Sequence, residues 1–163
     1  MFDKGAKWNL SELNSVLTRG LDGPIVGVTN PYLYVGSWKA MFAWHKEDLD
    51  LYSINYLHLG KPKCWYGVPA SEADKFDSLA KSLFPGACQD CSEFLRHKTY
   101  LIYPSILKKN NINVHKYTHI ILIFRCIQNE GEFVITFAKA YHAGFNIGYY
   151  SLLIFKVITL LKQ

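Results

Sequence analysis

The sequence predicts a mainly β domain with helices set between its strands, an α+β arrangement built on a β-sandwich or barrel. Three observations carry this. Short runs rich in β-branched and aromatic residues recur along the chain, bounded by Gly, Pro and Asp. One segment, Ser71 to Leu83, has helical periodicity instead, with Ala73, Phe76, Leu79, Ala80 and Leu83 on one face. Half of the 163 residues are hydrophobic and 15% are aromatic, enough apolar material for a core and too much for a disordered chain.

Taken in order, Asn9 and Glu12 form a capping box that opens a short helix with Leu10, Leu13, Val16 and Leu17 as its buried stripe. Gly20 and Asp22-Gly23-Pro24 end it. Tyr32 to Gly36 reads as a short strand. Leu51 to Leu59 is a stronger one, and Lys63 to Val68 is its expected hairpin partner across Gly60-Lys61-Pro62. The helix from Ser71 to Leu83 is closed by Pro85-Gly86, and a second short helix is expected from Ser92 to Arg96. Glu132 to Phe137 and Tyr141 to Asn146 complete the strands. Two apolar segments, Tyr117 to Ile127 and Tyr149 to Gln163, carry no turn punctuation and read equally as strand or helix.

Composition excludes several classes of function. The net charge of +5 is mild, and no long basic run marks a nucleic-acid arm, so sequence-specific nucleic-acid binding is not expected. Asp3, Lys4 and Lys7 interrupt any signal-peptide core, so Cys64, Cys88, Cys91 and Cys126 are expected as thiols or metal ligands, not disulfides. Ser151 to Leu161 is broken by Lys156 and falls short of the roughly 20 residues of a membrane span, so no membrane association is expected.

The chemistry centres on His45-Lys46-Glu47. In extended chain, residues two apart face the same way, so an imidazole and a carboxylate reach one ion together. A second histidine completes the two-histidine, one-carboxylate set that non-haem iron(II) oxygenases use, with positions left open for cosubstrate and oxygen. His142 in Tyr141-His-Ala-Gly-Phe-Asn146 is the best candidate, since Ala143 and Gly144 permit close backbone approach. His-x-Glu alone is a weak signal. For His58, His97, His115 and His119 the ordinary reading is a surface or satisfied core residue.

The surroundings decide. AWHKEDLDLYSINYLHLGKPKCWYGVP (Ala43 to Pro69) closely resembles the JmjC domain of the histone lysine demethylases that act on trimethyl-lysine of histone H3, of the lysine 9 and lysine 36 type. The likeness continues through PYLYVGSWKAMF, FLRHKTYLIYPSILKK, GEFVITF and YHAGFN. It implies a double-stranded β-helix, the cupin-like jelly roll, incomplete at both ends. The JmjC catalytic domain would span 1–148, with an unmatched insertion near 117–127, followed by an unmatched apolar tail at 149–163.

The resemblance implies His45, Glu47 and His142 as iron(II) ligands, and Phe42, Asn55 and Lys63 as the contacts of 2-oxoglutarate, with oxygen as the other cosubstrate. A buried dianion needs a cation, which agrees with Lys63. Tyr34 and Gly27 match positions around the methylammonium pocket, and an aromatic face suits a quaternary ammonium. For Tyr34 and Trp65, plain core packing is the competing reading. The implied reaction hydroxylates an N-methyl group and releases formaldehyde, which needs no lone pair on nitrogen and so admits trimethyl-lysine. Cys91 and His97 match two ligands of a structural zinc(II) site whose other half is missing, and Cys88 matches no family role. The implied partner is the histone H3 tail in chromatin, and the implied location is the nucleus. The competing expectations are an inactive chromatin-interaction fragment and a JmjC hydroxylase of another side chain.

Overall fold

The computed structural model describes residues 20, 22–26, 28–30, 32–109 and 124–155. The capping box at Asn9 and its helix, Gly27 and much of the segment from Tyr117 lie outside these residues.

Among the described residues, eight strands form two four-stranded sheets: β1 (Tyr32–Gly36), β2 (Met41–His45), β3 (Ser53–Gly60), β4 (Lys63–Val68), β5 (Phe124–Gln128), β6 (Phe133–Thr136), β7 (Tyr141–Asn146) and β8 (Tyr150–Phe155). One sheet runs β1-β8-β3-β6 and the other β2-β7-β4-β5. Every pairing is antiparallel. Successive strands alternate between the sheets except at β4 and β5, so the short connections cross from layer to layer. This is the jelly roll expected of the sequence.

The crossing corrects one expectation. β3 and β4 do not form a hairpin, because β3 pairs with β6 and β8 while β4 pairs with β5 and β7. Gly60 has φ 114°, which an L side chain rarely adopts, and turns the chain out of the first sheet. Lys61 N–H then donates to the Tyr149 carbonyl at 2.9 Å, and the Pro62 carbonyl accepts from Ile147 N–H at 2.9 Å. Pro62, with no N–H to give a ladder, sits at the corner.

Tyr150–Phe155, part of the apolar stretch without turn signals, forms β8 and lies between β1 and β3, with Tyr34 opposite Leu152 and Asn55 opposite Ile154. Phe124–Gln128 likewise forms β5, an edge strand beside β4.

Between β4 and β5 the chain makes a helical excursion: a 3₁₀ turn (Ala70–Glu72), α1 (Ala73–Leu83), α2 (Pro85–Asp90), a 3₁₀ turn (Phe94–His97) and α3 (Pro104–Lys109). α1 buries Ala73, Phe76 and Ala80 at helical spacing. Pro85, expected to close this helix, instead opens α2 at its first turn, where a missing N–H costs nothing. The short helix expected at Ser92–Arg96 is the 3₁₀ turn, ended by Lys98 in the left-handed region at φ 57°.

The helices cover the outer face of the β2-β7-β4-β5 sheet. Trp44, Val68, Tyr141 and Ala143 meet Phe76, Ala80, Phe94, Ile102 and Leu107 there in one buried cluster. Fully burying a side chain such as Phe76 stabilises the fold by about 1.5–3 kcal/mol. Two polar ties fix the alignment: Trp44 Nε1–H donates to the Ile102 carbonyl at 3.0 Å, and Tyr141 O–H donates to Asp77 at 2.5 Å. Because side chains alternate along a strand, anchoring Trp44 and Tyr141 outward aims His45 and His142 inward.

Candidate metal centre

His45 and His142 are register partners on β2 and β7, directly opposite each other, with ring centroids 4.3 Å apart. Glu47 lies just past the end of β2, not within it. Its backbone is still extended (φ −66°, ψ 152°), which preserves the two-residue alternation that puts it beside His45. The donor atoms of His45, Glu47 and His142 all lie within 4.8 Å of one another, and all three residues are buried. His142 Nε2 is 3.5 Å from Glu47 Oε1. Among the described residues, no other group of three or more metal-donor side chains comes together.

The histidines are held in one tautomer by their own strands. His45 Nδ1 lies 2.8 Å from the Ala43 carbonyl, and His142 Nδ1 lies 3.3 Å from that of Ala140. A carbonyl only accepts, so each Nδ1 donates to it, which leaves Nε2 as the nitrogen open to a metal. Burial and then the neighbouring His142 lower the His45 pKa from 6.5 to about 4, so His45 is neutral at pH 7, the form in which an imidazole can bind a metal. Two imidazoles and a carboxylate suit a divalent first-row metal, iron(II) included.

The triad lines a cavity of about 310 Å³ that also takes in Tyr34, Phe42, Asn55, Lys63, Lys98 and Asn146. Lys63 is 4% exposed, with Nζ 4.8 Å from the Phe42 ring centroid and 5.5 Å from that of Trp65. Burial lowers its pKa to about 8, so a carboxylate ligand would return the charge that burial disfavours. Asn55 and Asn146 are each 2% exposed, and each leaves its Oδ1 without a hydrogen-bond partner, although Asn146 Nδ2–H donates to the Ser37 carbonyl at 2.9 Å. Buried orphan carbonyls of this kind mark a polar wall made for a ligand or its waters. Gly144 lies under the Phe42 ring, and a Cβ there would strike that ring and the Cys64 carbonyl.

The expected site residues therefore divide. His45, Glu47, His142, Phe42, Asn55, Lys63 and Tyr34 share the cavity, with Tyr34 43% exposed at its mouth. Gly27 is outside the described residues. Cys91 is half-buried and His97 exposed, and no third donor joins them among the described residues, so these positions do not make a closed zinc site there.

Three contributors were not foreseen. Asn146 follows His142 and Gly144 in the same inward phase, a signal the alternation contains. Lys98 reaches the cavity from the end of a 3₁₀ turn, and its charge also lowers the His45 pKa. Gln128, 1% exposed, accepts from Trp65 Nε1–H at 2.9 Å and donates to the Asn55 and Glu132 carbonyls at 3.1 and 3.0 Å, tying β5 to the opposite sheet. No sequence pattern announces the last two.

Comparison with known proteins agrees with this geometry. Residues 32–152 match the family model described as "JmjC domain, hydroxylase". The chain is 48% identical over 153 residues to "Lysine-specific demethylase 4D" of Rattus norvegicus, covering 91% of this chain and 28% of that protein. It is 48% identical over 153 residues to "Probable lysine-specific demethylase 4F" of Homo sapiens (91% and 23%), and 49% identical over 150 residues to "Lysine-specific demethylase 4B" of Mus musculus (90% and 13%). It thus spans less than a third of the length of these relatives. With the match covering most of its strands and all of His45, Glu47 and His142, the chain belongs to the JmjC domain family.

Proposed function

We propose that this chain carries the catalytic core of an iron(II)- and 2-oxoglutarate-dependent demethylase acting on trimethylated and dimethylated lysine of histone H3 tails in chromatin, and hence in the nucleus. The observation that carries the reading is the convergence of His45, Glu47 and His142 in one buried cavity with Lys63. The names of the similar proteins supply lysine as the substrate side chain. Among the described residues no helix is long and apolar enough to cross a membrane.

The division of labour follows from the site. His45, Glu47 and His142 would hold iron(II), which when bound supplies oxygen activation coupled to oxidation of the 2-oxo acid. Lys63 pairs with the distal carboxylate of the cosubstrate, a charge-assisted bond in a water-poor cavity. Asn55 supplies a polar contact beside it, and Phe42 and Trp65 exclude water from the same wall. Tyr34, at the mouth, offers an aromatic face to a methylammonium group.

The test is turnover of 2-oxoglutarate by the purified, iron-loaded chain with a trimethyl-lysine histone H3 peptide, following succinate and formaldehyde together. Both products in equal amount are expected. Peptide-stimulated succinate with a hydroxylated, still methylated peptide would replace demethylation by hydroxylation. Iron binding with no turnover at all would leave a non-catalytic binding module.

A further inference from the structure

Gly67 leaves a gap where its strand neighbours carry side chains. It is the register partner of His142 in the β4–β7 ladder, and partners in an antiparallel ladder project to the same face. A Cβ built at Gly67 meets nothing nearer than the Tyr141 carbonyl oxygen at 3.9 Å. A chamber of about 480 Å³ adjoins this position, walled by Trp65, Gly67, Val134, Phe137, Ala140 and His142 among others. Among the described residues, no Lys, Arg, Asp or Glu lines it. The hydroxyl of Thr136, also in its wall, is already hydrogen-bonded to Ser53. The rim is open, since Phe137 is 59% exposed. At the inner end, Trp65 and His142 line both this chamber and the cavity of the metal triad.

An apolar chamber therefore extends from the surface to Trp65 and His142, whose side chains stand between it and the cavity that holds Lys63. Such a lining disfavours the dianionic cosubstrate and the charged peptide, which need polar partners. It favours a small, uncharged, apolar molecule, as apolar protein cavities that take up xenon do. We propose that the chamber is a binding site for dioxygen that supplies the triad by a route separate from cosubstrate and peptide, and that the absent side chain of Gly67 keeps it open. The supply role rests on the oxygenase reading above; the binding site does not.

The test measures dioxygen directly. Paramagnetic relaxation of methyl resonances under raised oxygen pressure should be severalfold greater at Val134, which lines the chamber, than at Leu107, which is buried in the cluster under the helices. Gly67→Val should abolish the excess, and Gly67→Ala should reduce it in part. Equal relaxation at Val134 and Leu107, or an excess unchanged in the variants, would overturn the site. If Gly67→Val does not fold, Gly67→Ala, which meets no steric obstacle, decides alone. In the iron-loaded chain, Gly67→Val should raise KM for oxygen severalfold at unchanged KM for 2-oxoglutarate; an unchanged KM for oxygen would overturn the supply role. The relaxation measurement needs neither iron nor turnover, so its failure is separable from failure of the demethylase reading.

Discussion

Gln128→Leu should destabilise the fold far more than its size suggests. The side chain makes three hydrogen bonds that join β5 to β3, to the turn before β6 and to the Trp65 indole. Leucine fills much of the same volume and makes none of them. The Trp65 N–H is left buried without an acceptor, at about 1–3 kcal/mol, and each of the two carbonyls loses a bond of about 0.5–1.5 kcal/mol. The sum is roughly 2–6 kcal/mol, a large share of the 5–15 kcal/mol of an ordinary domain. Urea unfolding followed by Trp fluorescence measures it, with the slope checked for constancy. Gln128→Glu keeps the acceptor for Trp65 but sets a carboxylate oxygen against two carbonyls, so it should be at least as damaging. A loss below about 1 kcal/mol for the leucine variant would refute the reasoning, because three partners, two of them in buried hydrogen bonds, cannot be abandoned at that cost.

Replacing His45 or Glu47 by Ala should abolish measurable iron(II) binding in anaerobic titration calorimetry, since two ligands hold a labile divalent ion poorly; unchanged affinity in both variants would count against the triad. Affinity for 2-oxoglutarate should stay level below pH 8 and fall about tenfold per unit above it, as Lys63 must take up a proton before it pairs with a carboxylate; a flat profile to pH 10 would move the carboxylate contact elsewhere. In the ligand-free chain the same lysine, lowered from 10.5 to about 8, should make stability rise with pH between these values, because there the unfolded chain binds the extra proton; urea titrations across that window read it. Gly144→Ala should prevent native packing of Phe42, seen as loss of near-ultraviolet circular dichroism, because the new methyl strikes backbone as well as ring.

The sequence and the structure part company where distant chain segments decide the outcome. The convergence of His45, Glu47 and His142 was legible because alternation fixes which residues share a face, and the surrounding motif fixes which faces meet. Lys63 and Asn55 followed from the same motif. Gly60-Lys61-Pro62 was legible as a turn but not as a corner between sheets, since turn chemistry gives the local bend and not the partner on its far side. Pro85 misled for a related reason: the ring that stops one helix is equally at home in the first turn of the next. Tyr150–Phe155 lacked punctuation because a strand flanked on both edges, as β8 is by β1 and β3, reads as a plain apolar run. Gln128 and Lys98 were invisible because their roles exist only once β5 and the 3₁₀ turn are set against the rest.

The pairing of His45 with His142 has a consequence for the order of assembly. Of the three proposed ligands, His45 and Glu47 are made early, but His142 belongs to a strand that arrives only after the whole helical excursion, and it enters by slotting between β2 and β4. Ligands this far apart along the chain close large loops, and such contacts form slowly. A nascent chain that has reached β4 holds a histidine and a carboxylate with no third donor, so it would bind iron weakly and release it readily. Tight capture must coincide with insertion of β7 and thereafter oppose its withdrawal, since an ion that binds only the closed arrangement draws the equilibrium toward it. Under the proposed function, iron supply during synthesis should thus govern how much chain matures, apart from any effect on turnover.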